Sequence, residues 1–364
     1  MKKNRVIDIC LSNHPIWISL IEDPPENIHY RIFKSNFYSK IYFRLANIFP
    51  FLINPTHFCN GAKPLKSKPW VVDLESVKVF FKKYEDLENI DMRNKVAELL
   101  EKSKRILPLS EAAKKTIIKY LDIDTRKIEV IYPAIKIHRI EPLIHEKDII
   151  NILFIGGAFE AKGGREVLAA FKKIARKDTK LIIIGNFKEE YLKTIKELNI
   201  EAYKSLPRSK ILNEIYSKAD IFVMPSFMDT VGYVYLEAMS FGIPIISSNH
   251  FSAPELIGEA GIKVKLPTSL WKEDGSYNPD FWKNLNEVEY FEEVVEAIAN
   301  AMHMLIENPE LRLKMGMNGI QRVLNGPISI TTRNNKLKEI YERYLFKKET
   351  ILLHKSFQQF LKLV

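Results

Sequence analysis

Hydrophobic positions along this chain alternate between two patterns, and the alternation occurs twice. Short β-branched runs read as strands, and longer stretches with apolar residues every three or four positions read as helices. In the first half, residues 6–11 (VIDICL) form a strand running into the loop Ser12-Asn13-His14-Pro15. Trp70-Val71-Val72 is a second strand, 90–103 a helix and Arg105–Leu109 a strand. Ser110 then caps a helix ending near Leu121, and Lys127–Tyr132 is a further strand. Pro142 and its charged neighbours make a linker, and the pattern resumes at Asn151. Strands are expected at Ile152–Ile155, Leu181–Ile184, Ile200–Tyr203, Asp220–Met224 and Ile243–Ile246. Between them lie helices with Val167, Leu168, Phe171 and Ile174 on one apolar face, over 188–198, over 208–219 with Ile211, Leu212 and Ile215 inward, and over Val234–Met239. Strand–helix alternation places a parallel sheet between helical layers, so the fold class is α/β with two Rossmann-like doubly wound domains. The domains run over 1–145 and 150–328, followed by a helix over 329–346 and an amphipathic basic tail, 347–364.

Some segments fit this frame less simply. Residues 32–53 interleave aromatics with Lys34, Lys40 and Arg44, and as a helix would align Phe33, Phe37, Ile41 and Leu45. Such a helix is either a core element with solvated charges or a membrane-interface element. Trp271–Lys283 interrupts the second domain and reads as an exposed loop, whereas helices near 289–307 and 309–324 end at the stop Asn325-Gly326-Pro327.

Composition narrows the function classes. Cys10 and Cys59 are too few and too far apart for a disulfide framework or metal knuckle, which favours a reducing compartment. The basic start is interrupted by Asp8, Asn13, His14 and Pro15, so it does not read as a signal peptide, and no run reaches the roughly 20 apolar residues of a membrane span. The expected location is cytoplasmic, either free or peripheral at the inner face of a membrane. Net charge is +10, unevenly placed: 26 basic residues stand against 19 acidic over 1–149, 25 against 25 over 150–345, and 4 against 1 over 346–364. An anionic lipid surface, nucleic acid or plain solubility each accounts for that excess. Nucleic acid is the disfavoured partner, because no basic–aromatic binding motif is present.

Candidate chemistry centres on 225–248, PSFMDTVGYVYLEAMSFGIPIISS. Asp229 lies at the mouth of the expected helix and Glu237 about two turns along the same side. Paired carboxylates suit a polyhydroxyl ligand, while an N-cap and a solvated glutamate is the plainer reading. Upstream, Gly156-Gly157 and Lys162-Gly163-Gly164 flank a helix start, where free N–H groups and a lysine suit a diphosphate. Asp73 and Glu75, at a strand's carboxyl end, either face an acceptor or cap the next helix. His14 reads as a turn residue rather than a catalytic one.

Pro225-Ser226, Asp229-Thr230-Val231-Gly232, Leu236-Glu237-Ala238-Met239 and Gly242-Ile243-Pro244 together resemble the signature of retaining GT-B glycosyltransferases of the family 4 type (glycosyl transferases group 1), whose usual pattern is Pro-Ser, Glu-Gly-Phe-Gly, Leu-Glu-Ala-Met and Gly-x-Pro. The resemblance covers roughly 103–345 and is strongest over 151–262. It implies two domains facing a cleft, with the helix over 329–346 crossing back to the first. It also implies retaining transfer from a nucleotide-diphosphate sugar, a co-substrate rather than a cofactor, to a glycan, glycolipid or lipid-linked hydroxyl without a metal. Lys162, Asp229 and Glu237 would be the catalytic set, Asp229 on the donor sugar and Glu237 on the nucleotide ribose. Gly156, Gly157, Gly163 and Arg165 would surround the diphosphate, joined by the N–H groups of Val231, Gly232 and Tyr233, with Glu255 lining the same cleft. Three positions depart from the pattern: Asp229 for the usual Glu, Gly157 for the usual Arg, and Phe251-Ser252 for paired glycines. A nucleotide-sugar-binding protein without turnover, a transferase acting on nucleic acid and a membrane-surface structural protein are the rival readings.

Overall fold

The structure, a computed structural model, describes residues 5–11, 15–34, 36–142, 149–174 and 176–346. His14 and the tail 347–364 lie outside the described residues. Contacts divide the chain into a first unit, up to Ala134 and again from Ile330, and a second unit, Ile135–Ser329.

The first unit contains β1 (Arg5–Leu11), α1 (Ile18–Glu22), β2 (Ile28–Lys34), α2 (Phe37–Ile48), β3 (Thr56–Cys59), β4 (Trp70–Leu74), α3 (Ile90–Glu101), β5 (Arg105–Pro108) and α4 (Glu111–Tyr120). Its five strands pair in parallel in the order β2-β1-β3-β4-β5. β3 and β4 are buried throughout, as central parallel strands must be. The helix Ile330–Ile340 belongs here too, anchored by Arg333, which donates to Ser19 Oγ at 2.7 Å, Ser19 O at 3.0 Å and Asp23 O at 2.8 Å.

Two expectations fail in this unit. Residues 32–34 are strand, not helix, so Phe33 leaves the expected apolar stripe. The helix phase is instead set by Asn36, whose side chain caps Ser39 N at 3.0 Å. Phe43 and Ala46 then face inward, Phe43 packing on Phe58 at 5.2 Å, while Ile41, Leu45, Ile48, Tyr38, Phe49 and Phe51 are exposed. Likewise, no strand spans 127–132. Asp124 caps a 3-10 turn at Thr125–Lys127 through Arg126 N, so the chain meets β5 only at the Ile106–Ile128 bridge and through Ile131 N on Pro108 O at 3.0 Å.

The second unit runs β6 (Ile150–Ile155), α5 (Gly164–Ile174), β7 (Thr179–Ile184), α6 (Leu192–Glu197), β8 (Glu201–Tyr203), α7 (Arg208–Lys210), β9 (Ile221–Met224), α8 (Tyr233–Ser240), β10 (Ile245–Ser248), α9 (Ala253–Ile257), β11 (Gly261–Val264), α10 (Phe281–Asn286), α11 (Glu292–Glu307) and α12 (Pro309–Leu324). Strand order is β11-β10-β9-β6-β7-β8, all parallel. The order reverses between β6 and β9, and an open parallel sheet opens a crevice at the carboxyl ends of such neighbours. The glycine turn leaves β6 there, and the loop holding Asp229 leaves β9.

Two local differences shape that crevice. The helix expected over 208–219 changes to a π-turn at Ile211–Ile215 and a 3-10 turn at Tyr216–Lys218. A π-turn shifts the helical phase, so Ile211 and Leu212 are only half-buried whereas Ile215 and Tyr216 are enclosed. The insertion expected as an exposed loop instead buries Trp271 and Phe281, bridges Trp271 to Tyr277, and donates Leu270 N to Phe227 O at 3.1 Å. Its aromatic side chains have apolar neighbours to cover, which periodicity over so short a stretch does not reveal.

Candidate active site at the strand-order reversal

The loops after β6 and β9 are stitched together by backbone. Phe227 N donates to Ala161 O at 2.9 Å. Gly163 has φ +80, and a Cβ there would lie 2.6 Å from Pro225 O, so the close approach requires glycine. This brings Lys162 onto the second loop, where its ammonium donates to Met228 O at 2.7 Å and to Asp229 Oδ2 at 2.8 Å. Asp229 Oδ1 in turn accepts from Gly232 N at 2.7 Å. Gly232 is left-handed (φ 60) and is itself the residue before the first turn of α8, which has no side-chain cap. Asp229 therefore braces the approach to the helix rather than capping it, and occupies the Gly232 N–H expected to meet a ligand.

Glu237 is the fifth residue of α8, a little over one turn from its start rather than two. The residue is 4% exposed. Tyr216 OH donates to Oε2 at 2.9 Å, and the Arg208 guanidinium pairs with Oε1. Burial pushes the Glu237 carboxyl up from its ordinary range, while Arg208 and the Tyr216 hydroxyl pull it back. Arg208 also lies over the Tyr233 ring, 5.5 Å from its centroid. Sequence reasoning missed both partners. The signal for Tyr216 is the π-turn, invisible to a 3.6-residue period.

His250, in the loop after β10, was missed as well. Burial lowers its pKa to about 4, with nearby Asp229 opposing and Lys162 reinforcing the shift. Its Nε2 is buried without a hydrogen-bond partner among the described residues. The next residue, Phe251, takes φ +49, unusual for a bulky side chain, and its ring lies 6.0 Å from that of Trp271.

The other expected residues divide. Gly156 lines the turn, Val231 is buried beside Gly232, and a Cβ on Gly157 would meet nothing within 4 Å. Glu255 stands half-buried in the first turn of α9. Arg165 is not brought to the group, because its guanidinium donates to Leu285 O and Val288 O, each at 3.0 Å.

In the first unit, His57, Cys59 and Asp73 could hold a metal, with ligand atoms all within 4.8 Å of one another. His57 Nε2 instead sits 2.8 Å from Asp73 Oδ1, and the Cys59 thiol is pushed well up by burial and then by Asp73, which favours the neutral thiol. Asp73 thus pairs with His57 and does not cap the turn that follows its strand.

Residues 135–273 match the family model described as Glycosyl transferases group 1. The chain carries a group 1 glycosyl transferase domain. It is 25% identical over 237 residues (62% of the chain, 52% of the relative) to a capsular polysaccharide biosynthesis glycosyltransferase of Staphylococcus aureus. It is 27% identical over 187 residues (47% and 49%) to the N-acetylgalactosamine-N,N'-diacetylbacillosaminyl-diphospho-undecaprenol 4-alpha-N-acetylgalactosaminyltransferase of Campylobacter jejuni. The chain spans about half the length of the curated relatives it matches, or less. Among solved structures, a glycosyltransferase from Rickettsia africae superposes with TM-score 0.69 at 16% identity over 95% of this chain and 100% of that one. An Anabaena protein in complex with UDP-glucose gives 0.64 at 12% over 93% and 99%. The group 1 domain thus sits within a GT-B fold of two parallel-sheet units. Among the described residues, no helix is long and apolar enough to cross a membrane.

Proposed function

We propose that the chain is a retaining glycosyltransferase of the family 4 type that moves a sugar from a nucleotide-diphosphate sugar to an acceptor hydroxyl. The observation that carries this reading is the convergence at the β6/β9 reversal: Lys162 on Asp229, Asp229 on Gly232 N, and buried Glu237 one turn further along α8. Glu237 accepts from the ribose hydroxyls and Asp229 from those of the sugar. Lys162 and the N–H groups at the start of α8 meet the diphosphate. The acceptor oxygen bonds to the anomeric carbon as the carbon–oxygen bond to the diphosphate breaks, through an oxocarbenium-like state. The hydroxyl proton passes to the departing phosphate oxygen, on the same face of the sugar, which gives retention. The side chains hold charge and orientation; none of them forms a bond to the sugar.

The exposed apolar residues of α2 and the turn after it, with exposed Lys40 and Arg44 among them, support an acceptor presented at an anionic membrane surface. A lipid-linked acceptor, of the kind named for the Campylobacter relative, fits that surface.

The test is binding and turnover of UDP-, GDP- and ADP-sugars by the wild type, Lys162→Ala and Glu237→Ala. One donor should be hydrolysed or transferred, with activity falling roughly 10²–10³-fold in Lys162→Ala, the loss typical of removing one charge-stabilising donor. Binding without turnover of any donor, acceptors included, would replace the enzyme by a nucleotide-sugar-binding protein. Anomeric configuration of the product, read by NMR, decides retention, and co-sedimentation with anionic vesicles tests the membrane surface.

A further inference from the structure

We propose that Arg208 is the second cation of the donor site, moving from Glu237 to the donor's diphosphate when nucleotide binds; this rests on the reading of the second unit as the donor-binding unit. Lys162, Asp229 and Glu237 alone leave the crevice with one net negative charge, and a doubly charged diphosphate would enter against it. Arg208 brings the group to neutrality as two ion pairs, Lys162 with Asp229 and Arg208 with Glu237.

The two pairs are suited to exchange. A carboxylate in a cation pair keeps lone pairs for ligand hydroxyls, and a guanidinium has five donors. Arg208 Nη1 meets Glu237 Oε1, and the side chain is 37% exposed, so it reaches solvent from the pair. Tyr233 and Glu237 lie four residues apart on one face of α8. A guanidinium resting on both therefore extends from the ribose acid to the helix start where the phosphates would lie. Three other cations of the second unit have partners of their own. Arg165 holds Leu285 O and Val288 O, Lys188 pairs with Glu160 at 3.2 Å and Glu190 at 3.7 Å, and Lys204 donates to Phe187 O while covering its ring. The planar fork of arginine can bond two phosphate oxygens at once, which lysine cannot.

A rival role for Arg208 is confined to Glu237: holding the buried carboxyl ionised for the ribose. The experiment separates the two. Binding of UDP, GDP and ADP, and of the matching nucleosides, is measured by calorimetry on the full chain, on Arg208→Ala and on Gly157→Arg/Arg208→Ala. For whichever base binds, Arg208→Ala should weaken the diphosphate about tenfold or more, the size of a lost charge-assisted hydrogen bond, and the nucleoside less than about twofold. Gly157→Arg introduces a cation where the wall is open, and should restore most of the lost diphosphate affinity. Equal weakening of nucleoside and diphosphate, with no rescue by Gly157→Arg, would overturn the proposal and leave Arg208 as a support for Glu237. If the wild type binds no nucleotide at all, the donor-site reading itself fails and takes this inference with it. Thermal melts check folding; should Arg208→Ala melt early, Arg208→Gln carries the same comparison with the side chain's bulk retained.

Discussion

Asp73 in the first unit and Glu237 in the second are equally enclosed, each 4% exposed, yet the networks around them end differently. Asp73 faces His57, whose Nδ1 lies 2.6 Å from Tyr341 OH, and that hydroxyl lies 2.9 Å from Tyr30 OH. His57 and Tyr341 are both 0% exposed, and the cavity beside Asp73, about 20 Å³, has room for one water at most. Glu237 faces Arg208, which reaches solvent. A network whose inner members are enclosed, and which reaches only half-buried Tyr30, holds elements together, here β2, β3, β4 and the chain after the helix Ile330–Ile340. A network that ends at the surface can trade a protein partner for a ligand. Burial of the acid does not distinguish tie from site; the exposure of its partner does.

Paired truncations should separate the two most strongly. Asp73→Ala leaves His57 Nε2 buried with nothing to replace its partner, and should cost about 3–5 kcal/mol in urea unfolding, the usual result of breaking a buried pair from one side. Glu237→Ala leaves Arg208 free to rehydrate and removes only the acceptor of the buried Tyr216 hydroxyl, so its stability cost should be smaller, about 1–3 kcal/mol, while nucleotide binding is lost. Asp73→Ala protein that remains folded should bind nucleotide as the wild type does. Loss of binding there without loss of stability would break the distinction.

Acid titration should show a smaller effect, from His250, whose Nε2 is buried without a hydrogen-bond partner among the described residues. His250 is held neutral in the fold, with its pKa lowered from 6.5 to about 4. The unfolded chain takes up the proton first, so this contribution is fully present above pH 6.5 and is lost as pH falls toward about 4. Between pH 7.5 and 4.5 the loss should be about 2–3 kcal/mol. His250→Gln should flatten the profile by that amount in paired urea titrations. Parallel profiles for the two proteins would mean that the imidazole is solvated in the fold.

Tyr341→Phe should come next. It keeps the ring and its edge-on contact with Tyr30 but removes the hydroxyl between Tyr30 and His57. A stability loss of about 1–2 kcal/mol is expected, with nucleotide affinity unchanged.

The contrast also explains what could be read from the sequence. In the second unit, glycine turns, helices and β-branched runs have the lengths their periods require, and Lys162, Asp229 and Glu237 fall within motifs of nearby residues. Their closest partners did not. Arg208 and Tyr216 reach Glu237 from a segment about twenty to thirty residues upstream, through a π-turn that no regular period describes. In the first unit, β2 and β3 went unseen for a different reason. Ile28–Lys34 carries His29, Arg31 and Lys34, and Thr56–Cys59 is only four residues long, so neither presents a run. The Asp73–His57–Tyr341 network joins residues from 57 to 341 and exists only once the sheet register and the C-terminal helix are in place. The four-residue step of apolar residues continues backward through the turn to Phe33, but the cap at Asn36 ends the helix there.

Gly157→Ala should have the smallest effect. The residue has ordinary backbone geometry, and its added Cβ would meet nothing within 4 Å. Stability should therefore change by no more than about 0.5 kcal/mol, as for surface substitutions without special backbone. Nucleotide affinity should be equally unmoved, since alanine brings neither charge nor reach. A neutral result matters because it isolates the charge in the Gly157→Arg rescue: tolerance of a side chain at 157 would be established separately from the effect of a guanidinium. A destabilised or non-binding Gly157→Ala would mean that the backbone at 157 closes on the ligand. The second region would then have a wall as confining as that around Asp73, and the contrast between tie and site would rest on Arg208 alone.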